Sequence, residues 1–377
     1  MNAALNQQPE IKKGLEGVVA DSTSVSDVDG ELGRLYYRGY TVESLTRFRF
    51  ADVAHLVVFS ELPDAAKQTQ FEDYLWHAGQ LPAYAANAVI ELAKTSAHPM
   101  EILQALAPLL ATHAPENSLG NSQEEREGLL VAARLPTATA LILATREQRP
   151  FLYSSSRRYG ERYLHMLTGK QPTKDAVEVF EKTQILQLDH SFNASTFTAR
   201  VVTSTLAPAA SALAAALGAL YGPLHGRADQ AALEMAQEVG DAANAHRYVL
   251  DCVTNKKLVM GMGHREYRVV DPRAKVIKQL AEQVATTAER RRLFSTLVEV
   301  EKAFVEQTSA KSRALRANLE FYKGVVYLAL GIPKDYFTAS FAAARVFGWL
   351  AHVVEQRKDN RIIRPSALYI GPPPREA

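Results

Sequence analysis

The sequence predicts a mainly α-helical protein with a large buried core. Three segments repeat apolar residues at intervals of three and four, the period of one helix face: TKDAVEVFEKTQILQL (173–188), PRAKVIKQLAEQVA (272–285) and RLFSTLVEVEKAFVEQ (292–307). The first begins with Thr173, a residue type that often caps a helix. A chain of 377 residues that is 47% hydrophobic and 22% charged can bury a sizeable core, and its length suggests two globular units.

Other segments add a hairpin and two buried helices to this prediction. Strand signals are confined to short pieces such as GRLYYRGY (33–40), for which we predict a hairpin. The nearly uncharged stretch 206–224 is about as long as a membrane span, but alanine, glycine and proline dominate it, so we predict a buried helix instead. Residues 337–357, apolar around Arg345, predict another helix, capped by Thr338.

Charge and cysteine content narrow the class of protein. Lys and Arg number 43 against 41 Asp and Glu, a balance that gives no broad basic face for nucleic acid, so we expect a small substrate. The single cysteine, Cys252, excludes an internal disulfide and fits a reducing compartment. The opening MNAALNQQPEIKKG has no apolar core of the signal-peptide type. We therefore expect a cytoplasmic protein that does not enter a membrane.

Segments that resemble nucleotide-binding or metal-binding motifs do not have the spacing that those motifs require. GMGHRE (261–266) has two glycines without the third of a dinucleotide fingerprint, and TGKQ (168–171) lacks both the upstream glycine and the Ser or Thr of a phosphate loop. The ten histidines show no H-E-x-x-H spacing. We expect no metal site and no permanently bound cofactor.

Three histidines are candidates for a site. They are His190 in LDHSFNAST, His225 in GPLHGRAD and His264 in GMGHREYRVVDPR. The last two lie in glycine-rich loops, where a ligand can approach the backbone. Each histidine taken singly is better explained by a structural hydrogen bond. Their combination with nearby cations is what indicates a function.

Three arginines form the second candidate group. Arg345 in its apolar helix needs an anion or several acceptors. Arg364 follows two isoleucines in RIIRP, and Arg268 lies four residues after His264. Each could pair with a carboxylate of the protein itself. Several arginines near histidines instead suggest a substrate with two or more carboxylates.

Six sequence blocks carry a resemblance to a known family. In order they are GLEGVVADSTSVSDVDGELGRLYYRGY, HPMEIL, DHSFNASTFTARVV, GALYGPLHG, MGMGHREYRVVDPRAK and ARVFGWLAHVVEQRKDNRIIRP. From about Gly14 to Tyr369 the chain resembles the citrate synthase family, in the short bacterial and archaeal form that includes 2-methylcitrate synthases. The resemblance implies a helical homodimer with a large domain (1–215 and 321–377), a small domain (216–320) and an active site in the cleft between them.

The family's reaction assigns a role to each candidate. It condenses acetyl-CoA with oxaloacetate, so a carboxylate must remove a proton from the thioester α-carbon while a donor stabilises the charge on the carbonyl oxygen. By resemblance the catalytic residues are Glu320 as the base, His225 as the donor and His264 as the group that polarises the ketone. The residues implied to bind oxaloacetate are His190, Asn193, Arg268, Arg345 and Arg364, the last from the partner subunit.

The resemblance also places the coenzyme A thioester, a co-substrate. The implied adenine-binding loop consists of Met260, Gly261, Met262 and Gly263. Lys256 or Lys257 would meet the CoA phosphates, although exposed lysines are commonly ordinary surface.

The chain departs from the family pattern near the donor. The family has Asp where NLEFYKG has Glu320, Ser or Thr where it has Lys323, and HGGAN where this chain has HGRAD, with Arg227 and Asp229. Glu266 occupies a position that is usually apolar. The added methylene of Glu320 moves the carboxylate by on the order of 1.5 Å, and about 1 Å can cost roughly 100-fold in rate.

Two hypotheses follow from these departures. In the first, the protein is an active acyl-CoA condensing enzyme that uses acetyl-CoA, or alternatively propionyl-CoA as a 2-methylcitrate synthase does, with reduced or altered activity. In the second, it is an impaired paralog that binds dicarboxylate or CoA as a regulatory partner. There Glu320 would pair with Arg227 or Lys323 and be weakened as a base.

Overall fold

Helices dominate the computed structural model. It describes residues 11–114, 118–264, 266–308 and 315–376. The first ten residues, on which much of the signal-peptide expectation depends, lie outside the described residues. The described part contains sixteen α-helices and three short β-strands, which confirms the predicted mainly α fold.

The helices are numbered α1 to α16 in chain order. Those of the first half are α1 Val42–Leu45, α2 Phe50–Phe59, α3 Ala65–Ala78, α4 Ala83–Ala93, α5 Pro99–Leu110, α6 Gln123–Arg146, α7 Tyr159–Thr168 and α8 Lys174–Ile185. Those of the second half are α9 Ala194–Ser204, α10 Ala209–Tyr221, α11 Ala228–Val239, α12 Ala245–Thr254, α13 Pro272–Val284, α14 Ala288–Thr308, α15 Leu319–Ala329 and α16 Phe337–Lys358.

A small antiparallel sheet precedes the helices. Its strands are β1 Ser26–Asp29, β2 Arg34–Tyr37 and β3 Tyr40–Thr41, in the order β1-β2-β3. The second and third strands confirm the hairpin predicted over 33–40, and β1 extends it with Val28 opposite Leu35.

Two long apolar helices form the centre of the fold. The spans Gln123–Arg146 and Lys334–Lys358 are long and apolar enough to cross a membrane, but 94% and 100% of their most apolar windows are buried in the protein. Helices that are apolar on every side belong in a core. Helix α16 packs against α6, α9 and α2. The predicted helix in 206–224 is α10, whose alanines are packed against α9 and α5.

Of the two predicted helix caps, Thr173 is confirmed and Thr338 is wrong. The Thr173 hydroxyl accepts a hydrogen bond from the Ala176 amide, as a cap should. Thr338 is not a cap, because α16 begins one residue earlier at Phe337. Its hydroxyl instead donates to the Gly226 carbonyl at 3.1 Å. A cap and a tertiary hydrogen bond require the same residue type, so the sequence did not distinguish them.

Helix α15 packs against α11, α13 and α14 and meets α8 at its other side. It therefore lies where chain segments from both predicted domains meet. The division into 1–215 with 321–377 and 216–320 stays a prediction.

Candidate active site

The loop that carries His264 is fixed to the start of α15. Gly263 donates its amide to the Arg316 carbonyl at 2.7 Å, and the Asn318 amide donates to the Gly261 carbonyl at 3.0 Å. The Asn318 side chain donates to the Gly263 carbonyl at 2.9 Å and caps α15 by accepting from the Glu320 amide, also at 2.9 Å. One side chain thus links the loop of His264 to the helix of Glu320.

Gly261 explains why this loop needs glycine. Its φ is +75°, and a Cβ would lie 2.9 Å from the Cα of Phe321. Both the left-handed backbone and the close approach to α15 exclude a larger side chain.

His190 and His264 lie together, as predicted. Their ring centroids are 5.0 Å apart, and Tyr267 packs against both. Burial, with Arg273, His264 and Arg345 nearby, lowers the pKa of His190 well below its ordinary value. His190 is therefore neutral at pH 7, and its Nε2 lies 3.1 Å from the Tyr267 hydroxyl.

Donors face both ring nitrogens of His264. The amides of Glu266 and Tyr267 point at Nδ1, at 3.1 and 3.4 Å. An amide can only donate, so Nδ1 accepts. The Arg273 guanidinium, which also can only donate, lies 3.5 Å from Nε2. The ring therefore lies between backbone donors and a buried cation.

His225 is a second neutral donor, held by α9. Its Nε2 lies 2.8 Å from the Ser195 hydroxyl and 3.4 Å from the Ser195 amide. Because that amide can only donate, Nε2 accepts and Nδ1 carries the proton. Burial, with Arg345 and Lys323 nearby, lowers the pKa of His225 to about 4. The indole of Trp349 fixes the Ser195 hydroxyl by a 3.1 Å hydrogen bond.

Arg345 is a buried cation with unused donors. Its Nε donates to the Gln187 carbonyl at 2.7 Å, and its guanidinium lies over the Phe341 ring at 4.6 Å. Within the described part of the chain no carboxylate lies within ion-pair distance of it. Burial lowers the pKa of Arg345 to about 10, so it is still charged at pH 7. Its terminal nitrogens can bind an anion.

The predicted position of Arg268 requires a correction. Its side chain is 67% exposed and pairs with Glu31 at 2.6 Å. The arginine beside His264 is Arg273, which is buried and pairs with Asp271 at 2.8 Å. Arg273 lies nine positions after His264 in the sequence. The segment DPR at the start of α13 brings its guanidinium back toward the histidine. Sequence reasoning missed Arg273 because it judged proximity by sequence separation.

The remaining predicted binding residues are placed as follows. Asn193 caps α9, and its Oδ1 accepts from the amides of Ser195 and Thr196. Arg364 is exposed in the extended stretch after α16. In the predicted CoA segment Gly261 is buried, and Met260, Met262 and Gly263 are half-buried. Lys256 and Lys257 are exposed, and Lys257 pairs with Asp251 at 3.0 Å. The ligand roles of all these residues stay predictions.

Glu320 contacts Lys323, one turn further along α15. Lys323 is fully buried, and its Nζ also lies 3.3 Å from Asp229 Oδ2 and 3.1 Å from Gln187 Oε1. Arg227, the other partner considered for Glu320, lies instead over the Tyr221 ring at 5.7 Å. Three of the positions that we predict to depart from the family pattern, Glu320, Lys323 and Asp229, are therefore in one cluster.

The described residues contain no group of three or more His, Cys, Asp or Glu side chains that could hold a metal ion. The residues brought together are three histidines, two of them neutral at pH 7, with buried Arg345, Arg273 and Lys323 and the carboxylates of Glu320, Asp229 and Asp271. Such a set can bind a dianion, donate hydrogen bonds to carbonyl oxygens and accept a proton.

Comparison with known proteins identifies the family. The profile described as "Citrate synthase, C-terminal domain" matches residues 14–366. The chain is 38% identical to a citrate synthase of Synechocystis, over 98% of this chain and 94% of that protein. It is 36% identical to a 2-methylcitrate synthase of Shewanella oneidensis, over 96% of each.

Solved structures agree with this result. A citrate synthase of Thermoplasma acidophilum, in a ternary complex with carboxymethyl coenzyme A and oxaloacetate, is 29% identical with a TM-score of 0.90, over 98% of each chain. A citrate synthase of Thermotoga maritima is 32% identical with a TM-score of 0.87, also over 98% of each. The fold and site define a citrate synthase-type enzyme. The chain belongs to the citrate synthase family.

Proposed function

We propose that the enzyme condenses an acyl-CoA, acetyl-CoA foremost, with oxaloacetate and then hydrolyses the thioester. The observation that carries this proposal is the unpaired terminus of Arg345 among two neutral histidines and Glu320. Arg345 is close enough to lower the pKa of both His190 and His225, and Glu320 acts on Arg345 in turn. These groups can therefore bind one pair of substrates.

The acceptor half of the site fits a small keto diacid. Arg345 offers two free nitrogens to one carboxylate, a geometry that guanidinium groups bind in bidentate fashion. Arg273 adds positive charge beside His264, to which we assign the polarisation of the ketone oxygen. The ternary complex of the Thermoplasma relative contains oxaloacetate, which supports this choice of acceptor.

The donor half supplies the proton chemistry. Glu320 takes a proton from the thioester α-carbon while the Nδ1 proton of His225 stabilises the oxygen of the resulting enol. The α-carbon then attacks the ketone carbon, a carbon–carbon bond forms, and the ketone oxygen takes a proton from His264. Water finally adds its hydroxyl to the thioester carbonyl and returns a proton to His264, while coenzyme A leaves as the thiol with the proton that Glu320 had taken. Coenzyme A is thus a co-substrate, and the mechanism uses no permanently bound cofactor.

Propionyl-CoA is the alternative donor. Its support is the 2-methylcitrate synthase of Shewanella oneidensis, which is nearly as similar to this chain as the Synechocystis citrate synthase. Glu320 also affects the choice between acetyl-CoA and propionyl-CoA, because its carboxylate, as the base, must reach the α-carbon of the acyl group.

A thiol-release assay tests the function. We expect purified protein to release coenzyme A from acetyl-CoA or propionyl-CoA only when oxaloacetate is present, and Glu320→Gln to abolish the release. The ratio of kcat/KM for the two thioesters decides the donor. If neither thioester nor butyryl-CoA is turned over while calorimetry still detects oxaloacetate binding, the proposed activity is wrong.

We also propose a homodimer in the cytoplasm whose sites are completed by the partner. Arg364 is exposed, and no partner within the described part of its own chain pairs with it. The surrounding segment also exposes Ile362, Tyr369 and Ile370, by 62%, 74% and 90%. Apolar groups and an unpaired cation on one extended segment are suited to contact with a second subunit.

A further inference from the structure

Lys323 is a buried charge to which the mechanism above gives no role. Its side chain is 0% exposed, and three acceptors surround Nζ: the Glu320 carboxylate, Asp229 Oδ2 at 3.3 Å and Gln187 Oε1 at 3.1 Å. The ammonium donates a hydrogen bond to Gln187, and the two carboxylates contact it as ion pairs. The Phe341 ring lies 4.1 Å from Nζ and adds a cation–π contact.

Asp229 is placed against Lys323 by the backbone. It lies in the first turn of α11, and a Cβ on Gly324 would be 3.0 Å from its carbonyl oxygen. A glycine at 324 therefore allows α11 and α15 to approach closely. Asp229 is fully buried, and burial, with Glu320 nearby, raises its pKa to about 6 against the opposing effect of Lys323. Two carboxylates thus share one ammonium.

Contacts restrain both the backbone and the side chain of Glu320. Asn318 fixes its backbone amide, and Lys323 contacts its carboxylate. The glutamate side chain has one more rotatable bond than aspartate, so an unrestrained carboxylate would sample more positions. Proton removal from carbon depends on placement, and about 1 Å of error can cost roughly 100-fold in rate.

We propose that Lys323 and Asp229 are positioning residues for the Glu320 carboxylate. Lys323 restrains the long acid in the orientation for proton transfer. Asp229 offsets the charge of Lys323, so that Glu320 is oriented without forming an exclusive ion pair. The proposal rests on the proposed function, in which Glu320 is the base.

The double variant Asp229→Asn with Lys323→Ser tests the pair. It removes the buried Asp229 and Lys323 charges together but leaves the Glu320 carboxylate, 14% exposed, without its cation, so we expect a Tm somewhat below that of the wild type. We expect kcat to fall by about 10- to 100-fold, because the carboxylate is released, while the KM for oxaloacetate changes less than about 2-fold. A pair with a purely structural role would leave kcat at the wild-type value, and that result would overturn the proposal.

A matched control removes a different ion pair from the neighbouring helices. Lys278 on α13 pairs with Glu301 on α14 at 2.6 Å and does not contact Glu320. The double variant Lys278→Ser with Glu301→Gln should keep the wild-type kcat. If this control loses as much kcat as the test variant, the effect is not specific to Glu320 and the proposal is wrong.

The single variant Asp229→Asn tests the role of Asp229 separately from that of Lys323. Without Asp229, Lys323 pairs with Glu320 alone, so we expect a lower kcat together with an unchanged or higher Tm. A wild-type kcat would show that Asp229 has no part in the positioning.

Failure of the proposed function can be recognised separately. If the wild type turns over no thioester, the contact between Lys323 and Glu320 can still be tested by thermal denaturation. The test is a double-mutant cycle in the Asp229→Asn background, with Glu320→Gln and Lys323→Ser introduced singly and together. Glu320→Gln and Lys323→Ser should then lower the Tm non-additively, because the two side chains interact. Additive changes would overturn the positioning contact itself.

Discussion

At the residue scale, burial decides the charge state of the site. His190 and His225 are both neutral at pH 7, because desolvation and nearby arginines lower their pKa values. A neutral imidazole donates a hydrogen bond without adding a third cation to the two buried guanidiniums. Positive charge is thus left to Arg345 and Arg273, where a dicarboxylate substrate needs it.

Arg345 and Arg268 were both predicted to bind a carboxylate of the substrate, but substitutions at the two positions should change the KM for oxaloacetate to different extents. Arg345→Lys keeps a charge but loses the planar fork, so we expect the KM for oxaloacetate to rise by about 10-fold or more. Arg268→Lys is the matched control, because that side chain is 67% exposed and paired with Glu31. We expect it to change the same KM less than about 2-fold. A larger effect at Arg268 than at Arg345 would restore the assignment made from sequence.

At the scale of elements, the site depends on how one loop is joined to one helix. The loop 260–264 runs beside residues 316–318 through backbone hydrogen bonds, and a single β-bridge pairs Met262 with Ala317. His264 and Glu320 therefore keep their relative position through the start of α15. A shift of that helix end moves both of the proposed catalytic groups.

Asn318 tests this connection. Asn318→Ala removes the cap on α15 and the hydrogen bond to Gly263, so we expect a loss of about 1 kcal/mol of stability and roughly 10-fold in kcat. Thr173→Ala removes a comparable cap from α8, in an exposed position. It should cost similar stability, measured by thermal denaturation, and leave kcat unchanged. Equal losses of kcat in both variants would mean that Asn318 acts only through stability.

At the scale of the whole molecule, the buried helices α6 and α16 organise the site. Helix α16 supplies Arg345, fixes Ser195 through Trp349, and bonds the Gly226 carbonyl through Thr338. One core helix thus places both Arg345, the cation proposed to bind the acceptor, and the loop of His225. Its packing against α6, α9 and α2 makes these positions rigid.

The proposed dimer makes a prediction at this scale. If Arg364 acts in the partner's site, Arg364→Ala and Glu320→Gln are each inactive as homodimers. When the two variants are unfolded and refolded together, half of the dimers are mixed, and each mixed dimer has one intact site, so about a quarter of wild-type activity should return. No return of activity, despite mixed dimers seen by mass spectrometry, would place Arg364 in its own subunit's site, and an active Arg364→Ala homodimer would place it outside any site.

Much of the fold could be predicted because its signals are local. The apolar period of three and four gave α8, α13 and α14, and the Thr173 cap was visible from its position. The glycine-rich loops of His225 and His264 were visible too, since glycine marks places where the backbone is strained or closely approached. These properties depend on neighbours in the chain.

Partner choice, in contrast, was decided by tertiary structure. The sequence determined that a helical protein carries histidines, arginines and one altered acid in marked segments. The fold decided that Arg273 rather than Arg268 stands beside His264, that Thr338 bonds to Gly226, and that Glu320 meets Lys323 rather than Arg227. The reason is that a side chain's partner depends on which helix lies opposite, and that depends on packing of distant segments, which local periodicity does not encode.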